Sequence, residues 1–360
     1  MKFGIMTFHN IPNIGAILQA YSLCKVIRMM GQECYLVDYT CDNIRKRELI
    51  MKKGRYRLGN LIRAFFFYLY EKKKIDSCQE FMINEQMYSK KYASCNKELA
   101  DDFDVFISGS DMIWNLDFTA HDWSYYLDFL PDDKLRYSYA SSIGEKWQED
   151  DVKRVRTLLS KYRMLSTRET DTSEYLTNLL GKQCDCVPDP TILLQPEYWR
   201  NMAPTTEESN YVLIYFPCKE ILQAAQEYAK RNRLRVIVIN NGLPIMKSNI
   251  VNKAIYDPLD WLALINGATA VFTNSYHGFL FSLYFNKPVW TNKPGNRFVS
   301  LLEKFELKNC YIYQDKDLKN KIDYQLVNSK LEKMRELGLE YVSRIIGDAN
   351  ENYQLIRGVL

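Results

Sequence analysis

Residues 3–39 read FGIMTFHNIPNIGAILQAYSLCKVIRMMGQECYLVDY, and this stretch decides the fold class. Phe3–Phe8 is an apolar run of strand length. Ala16–Met30 then places Ile17, Ala20, Leu23, Cys24 and Ile27 on one helical face, with Gly31 as the stop. A second apolar run, Cys34–Tyr39, follows at once. Strand, helix and strand in this order form a βαβ unit, the building block of parallel sheets.

The pattern continues outward. Val105–Ser108, Arg136–Ala140, Met164–Ser166 and Cys184–Val187 read as further strands. Gln195–Asn210, with two prolines and an acidic pair, reads as a linker, after which the alternation restarts. Tyr211–Phe216, Arg235–Ile239, Thr269–Thr273 and Val289–Thr291 are predicted strands. Glu220–Asn232, Pro258–Asn266 and Gly278–Phe285 are predicted helices. A chain of 360 residues exceeds the size at which one core stops growing. The expectation is therefore an α/β protein of two Rossmann-like domains, their parallel sheets facing a cleft. The expected boundaries are 1–200 for the first domain, 207–345 for the second and 346–360 for a C-terminal tail.

Composition narrows the class. A net charge of +4 does not by itself call for nucleic acid or membrane. The nine cysteines lack metal-ligand spacing, so reduced thiols and no metal are expected. The 26 tyrosines suit surfaces that stack on sugar rings. With no signal-peptide pattern in MKFGIMTF and no apolar run of membrane-spanning length, a cytoplasmic location is expected. A basic insertion, about residues 43–96, interrupts the first half. It carries Arg45, Lys46, Arg47, Lys52, Lys53, Arg55, Arg57 and Arg63, then Phe65-Phe66-Phe67-Tyr68, then Lys72, Lys73 and Lys74. Two readings stand for it: a solvated helical insertion whose aromatics pack on the domain, or an interfacial helix making peripheral contact with the inner face of a membrane. Nucleic acid is a poorer third, because no recognisable binding fold accompanies the charge.

Candidate site residues gather where predicted strands hand over to helices. Thr273-Asn274-Ser275-Tyr276-His277-Gly278 places Ser275 and His277 at the carboxyl edge of a sheet, with a helix starting near Gly278. Such a start offers N–H groups and a positive dipole end to a phosphate or carboxylate, and a histidine there can act as acid or phosphate partner. The structural alternative makes Ser275 a helix cap and His277 a surface residue. Asn13, Gly15 and Gln19 sit in a similar junction, where Gly15 lets backbone amides approach a ligand; alternatively Asn13 caps the helix and Gln19 is exposed. Ser110 and Asp111 follow the Val105–Ser108 strand, and Asp111 is either a proton acceptor and sugar-hydroxyl binder or a turn residue. Arg168 follows another strand and suits bidentate grip of a carboxylate or phosphate, or else a surface Arg–Glu face. Asp189, between two prolines, reads as a turn residue.

Taken in order, these segments resemble the polysaccharide pyruvyl transferase family. The carrying motifs are Asn13-Ile14-Gly15-Ala16-Ile17-Leu18-Gln19-Ala20-Tyr21, Gly109-Ser110-Asp111 with Trp114-Asn115, and Tyr139-Ala140-Ser141-Ser142-Ile143-Gly144. They continue with Ser166-Thr167-Arg168-Glu169, Asp189-Pro190-Thr191 and Ser275-Tyr276-His277-Gly278, across about residues 3–310. The resemblance implies a GT-B-like fold with the active site in the interdomain cleft. It also implies phosphoenolpyruvate as donor, a sugar acceptor that is polymeric or lipid-linked, and a pyruvate ketal of a surface polysaccharide as product. No cofactor is implied beyond the donor substrate. On this basis His277 is the catalytic or phosphate-contacting residue; the chemistry of the residues themselves adds Asp111 as acceptor-side base or binder, with His9 as the alternative base. Arg168, Ser275, Gly278, Lys293 and Arg297 are donor-side residues, and Asn13, Gly15, Gln19 and Ser110 acceptor-side residues. Two other functions fit the same fold: a glycosyltransferase using a nucleotide sugar, and a non-catalytic carbohydrate-binding protein.

Overall fold

The computed structural model describes residues 1–41, 43–44, 61–239, 244–247, 249–292, 296–315, 317–319 and 321–356. The chain divides into two compact units. The first comprises Met1–Glu48, Gln79–Leu194 and Lys333–Leu360; the second comprises Leu49–Cys78 and Gln195–Glu332.

In the first unit, β1 (Lys2–Met6), β2 (Glu33–Asp38), β3 (Tyr88–Lys91), β4 (Val105–Ser108) and β5 (Leu135–Ser138) form a parallel sheet in the order 3-2-1-4-5. A parallel pair, β6 (Leu165–Thr167) with β7 (Cys184–Cys186), extends this sheet through bridges from Tyr137 to Met164 and from Ser141 to Thr167. The sheet is laid down in opposite directions from β1, towards β2 and then towards β4, so its switch point lies between β1 and β4. Ligands of open α/β sheets enter at that point, beyond the carboxyl ends of the strands.

The second unit repeats the plan. β8 (Tyr211–Tyr215), β9 (Arg235–Ile239), β10 (Ile250–Lys253), β11 (Ala270–Thr273) and β12 (Val289–Trp290) run parallel in the order 10-9-8-11-12. Every residue of β8, YVLIY, is buried, as expected of a central strand covered on both faces. The switch point here lies between β8 and β11.

Three expectations about organisation change. The linker stretch contains a helix, Pro196–Met202, anchored by fully buried Trp199; Pro196 opens it, where a missing N–H costs nothing. The tail is part of a long helix, Tyr324–Ile356, whose residues from Lys333 group with the first unit. There it buries Tyr341, Ile345 and Ala349 and places Asp348 in hydrogen bonds with Tyr137 and Arg163. Finally, part of the basic insertion belongs to the second unit, not the first. Within the helix Leu61–Asn84, the Tyr70 hydroxyl donates to the Ile255 carbonyl at 3.0 Å, and Ser77 reaches the Asp257 carboxylate at 3.4 Å.

Candidate active site

In the second unit, β11 ends at Thr273 and the helix Tyr276–Tyr284 begins three residues later. Ser275 is its N-cap: the backbone there is extended, and its Oγ accepts from the Gly278 N–H at 3.1 Å. The Ser275 N–H in turn donates to Thr273 Oγ1 at 3.0 Å. The Gly278 amide is thus committed to the cap and is not offered to a donor. Its lack of a side chain serves packing, because a Cβ there would lie 2.9 Å from Thr273 Oγ1 and 3.1 Å from a Tyr215 ring carbon. His277 stands in the first helical turn, 9% exposed, with its ring 5.2 Å from Tyr276 in an edge-on arrangement. It is a buried residue at the carboxyl edge of the sheet, not a surface histidine.

Neighbouring side chains, unmarked in the sequence reading, complete this edge. The Asn274 carbonyl oxygen accepts from Thr291 Oγ1 at 3.1 Å and from the Asn292 N–H at 3.0 Å. The amide groups of Asn274 and Asn292 point at Cys218 Sγ, at 3.6 and 3.5 Å. Cys218 caps the helix Lys219–Asn232. Between β8 and this cap, Phe216 takes a left-handed backbone (φ +57°) and is exposed, a conformation that bulky residues adopt rarely. Of this group only Asn274 falls within the sequence motif around His277. Lys293 lies outside the described residues, and so does the Arg297 side chain.

In the first unit, the exits of β1 and β4 bring together Thr7, His9, Gln19, Ser110 and Asp111. Gln19 is fully buried, not exposed: its amide donates to Thr7 Oγ1 at 3.1 Å, and Thr7 Oγ1 donates to the Ser110 carbonyl at 2.9 Å. The Gln19 side-chain oxygen and Ser110 Oγ are buried without a hydrogen-bond partner among the described residues. Buried polar atoms left this way are uncommon in folded proteins and mark places where a ligand group or water is accommodated. Gly109 allows the two exits to approach, since a Cβ there would come within 2.9 Å of Thr7 Cβ. Asp111 has φ +74°, and its carboxylate accepts from the Met112 N–H at 2.8 Å. Residues held in sparsely populated backbone regions cluster at active sites and switch regions.

Asn13 is the cap of the helix Ile14–Met29, accepting from the Gly15 and Ala16 N–H groups at 3.1 and 3.4 Å. The Gly15 amide is therefore engaged within the cap. His9 Nδ1 lies 3.1 Å from the Thr7 carbonyl, which can only accept, so the proton of that contact sits on Nδ1. Nε2 is left facing Asp38, 3.6 Å away, and in a neutral ring is the nitrogen able to take a proton. His9 also lines a small recess, with room for about one water molecule, together with Phe8, Asn10, Tyr39, Thr40 and Tyr125.

Arg168 is buried rather than part of a surface Arg–Glu face. Its guanidinium donates to Asp189 Oδ2 at 2.7 Å and lies 3.4 Å from Glu169 Oε1, and all three residues are under 10% exposed. Asp189 also accepts from the Thr191 N–H and hydroxyl. The arginine charge is offset by carboxylates of its own unit, an occupation different from the anion clamp expected of it.

The model of the family described as polysaccharide pyruvyl transferase matches residues 13–291 of this sequence. The chain belongs to the polysaccharide pyruvyl transferase family. No curated protein matches it. Among solved structures, a Listeria monocytogenes protein assigned as a UDP-N-acetylglucosamine 2-epimerase is similar at 12% identity and TM-score 0.57, over 97% of this chain and 96% of that one. The S. aureus MnaA–UDP complex is similar at 12% identity and TM-score 0.50, over 92% and 91%. At such identity the likeness speaks for the fold, a GT-B-like pair of Rossmann-like domains, and not for the substrate. Among the described residues no group of His, Cys, Asp or Glu could hold a metal ion.

Proposed function

We propose that this family member moves the pyruvyl group of phosphoenolpyruvate onto two hydroxyls of one sugar of a surface polysaccharide or its lipid-linked precursor. The observation that carries this reading is the family's histidine motif, standing as buried His277 in the first turn beyond β11. A proton delivered to the methylene carbon of the donor makes C2 electrophilic. One sugar hydroxyl adds to C2 and loses its proton to a base, and the C2–O bond to phosphate then breaks. The second hydroxyl adds, its proton also leaves, and the ketal closes with release of inorganic phosphate. The sequence needs an acid, a base and a binding place for anionic groups.

His277 is assigned as the acid or the partner of the leaving phosphate. The first turn of its helix, at the positive end of the dipole, favours negative charge. In the first unit the acceptor is assigned to the β1 exit, where the half-buried Asn10, Tyr39 and Thr40 lie beside His9. His9 Nε2 is the better placed base, with Asp111 as the alternative.

The test is incubation with phosphoenolpyruvate and candidate sugar-lipid acceptors, following phosphate and the mass gain of one ketal. Acceptor-dependent phosphate release, abolished in His277→Ala, is expected. Full release by that variant removes the role given to His277. Turnover with a nucleotide sugar in place of phosphoenolpyruvate replaces the reading with that of a glycosyltransferase.

A further inference from the structure

The helix Leu61–Asn84 changes character along its length. Tyr70, Glu71, Lys74, Ile75 and Cys78 are buried, the last at 1% exposure. Immediately before them, Phe65, Phe66, Phe67, Tyr68 and Leu69 are 58%, 56%, 38%, 37% and 43% exposed. At 100° per residue, five consecutive positions sweep more than a full turn, so partly uncovered apolar surface faces every direction around the helix here. Phe65 and Phe66 leave more than half of their surface uncovered. A continuous exposed apolar stretch of this kind is unusual on a soluble surface and signals an interaction.

Charge says what kind. Residues 43–74 contain eleven Lys and Arg against two Asp and Glu, a net of +9, in a chain whose total is +4; the rest of the protein therefore carries −5. Lys72 is exposed and lies seven residues beyond Phe65, on the same face of the helix two turns along, whereas the Lys73 ammonium is engaged 4.4 Å from the centroid of the Tyr256 ring. Aromatic rings that enter the headgroup region, with lysines behind them, are the composition of an interfacial anchor. None of the described helices is long and apolar enough to cross a membrane.

The geometry points to a membrane-docking element: residues Phe65–Leu69 insert at the surface of a bilayer rich in anionic lipid, with Lys72 held against the headgroups. Lys74, buried at 2% exposure, takes no part. This inference does not depend on the chemistry proposed above.

The full chain is mixed with phosphatidylcholine vesicles with and without phosphatidylglycerol, and bound protein is recovered by flotation. Binding to the anionic vesicles alone is expected, and binding should weaken as salt is raised. Lys72→Gln should weaken it by roughly five-fold, and Phe65→Ser/Phe66→Ser/Phe67→Ser should abolish it. These side chains are exposed, so the fold should not suffer. A Phe66→Trp variant should gain blue-shifted indole emission on anionic vesicles, quenched by dibrominated lipid. Absence of binding, equal binding by the triple-serine variant, or indole emission from Phe66→Trp that the dibrominated lipid leaves unquenched overturns the inference. So does a stable dimer in buffer that the triple-serine change dissolves, which would make a second copy the partner.

Discussion

The two units share a strand order and differ in what fills the switch point. Between β1 and β4 the first unit packs a mostly buried polar set, Thr7, Gln19 and Ser110, with Asp111 strained beside it. Further along the same edge sits the buried Arg168–Asp189 pair. Between β8 and β11 the second unit presents a capped helix start, with His277 in its first turn and Cys218, Asn274 and Asn292 around it. One topology thus supports two kinds of edge. The first edge carries buried hydroxyl and amide groups, and the second carries a buried imidazole in the first turn of a helix. Chemistry follows from the side chains at the strand exits, not from the sheet.

The strongest way to break this contrast is Arg168→Ala. If Arg168 is a buried strut, its loss strands Asp189 and Glu169 in the interior, and removing one partner of such a pair costs about 3–5 kcal/mol. The expected result is a large drop in the urea midpoint of the first unit's unfolding. A variant that keeps its stability within about 1 kcal/mol but no longer responds to phosphoenolpyruvate would return the arginine to the donor site, and both units would then handle the anion.

Gly278→Ala probes the second edge. The new methyl meets Thr273 Oγ1 and the Tyr215 ring at 2.9 and 3.1 Å, both on strands that cannot easily retreat. Overpacking of this kind costs about 1–3 kcal/mol. Calorimetry should show the second unit alone destabilised. An unchanged transition would mean that the helix shifts freely from the sheet and that His277 is not rigidly placed. Ser275→Ala should cost less, about 1 kcal/mol for a lost cap, and should leave phosphate release largely intact. A loss of turnover far beyond that stability change would make Ser275 a ligand of the donor as well as a cap.

Much of this contrast is visible in the sequence, and the missing parts have physical causes. The strands Val105–Ser108 and Arg235–Ile239 are found where periodicity and apolar content put them. The edge strands β3 and β10, YSKK and IVNK, escape notice because an edge needs neither continuous apolar residues nor strict alternation, and lysines protect it from pairing. The motif segments locate His277, Ser275 and Ser110 at strand exits and Gln19 in the helix that follows β1. They do not distinguish a buried Gln19 from an exposed one, because its partner Thr7 lies on another element. The partner of Arg168 comes from 21 residues away, and the walls of the recess by His9 come from three separated segments. Such groupings are products of the sheet order, which no local pattern specifies.

The smallest expected effect concerns how the first unit holds its last helix. Arg163 donates to the Asp348 carboxylate, at 2.9 Å from Nη2, and Tyr137 donates to the same group. The hydrogen bond from Arg163, followed by that from Tyr137, holds the Asp348 carboxyl below the usual carboxylate range. A carboxylate with a depressed folded-state pKa stabilises the fold above its unfolded value of about 3.9 and loses that contribution as pH falls through the lower, folded value. Both side chains are partly solvated, at 40% and 27% exposure, so the pair is worth about 1 kcal/mol or less. Arg163→Ala should therefore lower the melting temperature modestly at pH 7, and the gap to the parent protein should close as the pH is taken below about 4. A gap that persists unchanged at about pH 3 would assign the contribution of Arg163 to packing of its aliphatic stem, leaving the ion pair with no part in docking the helix.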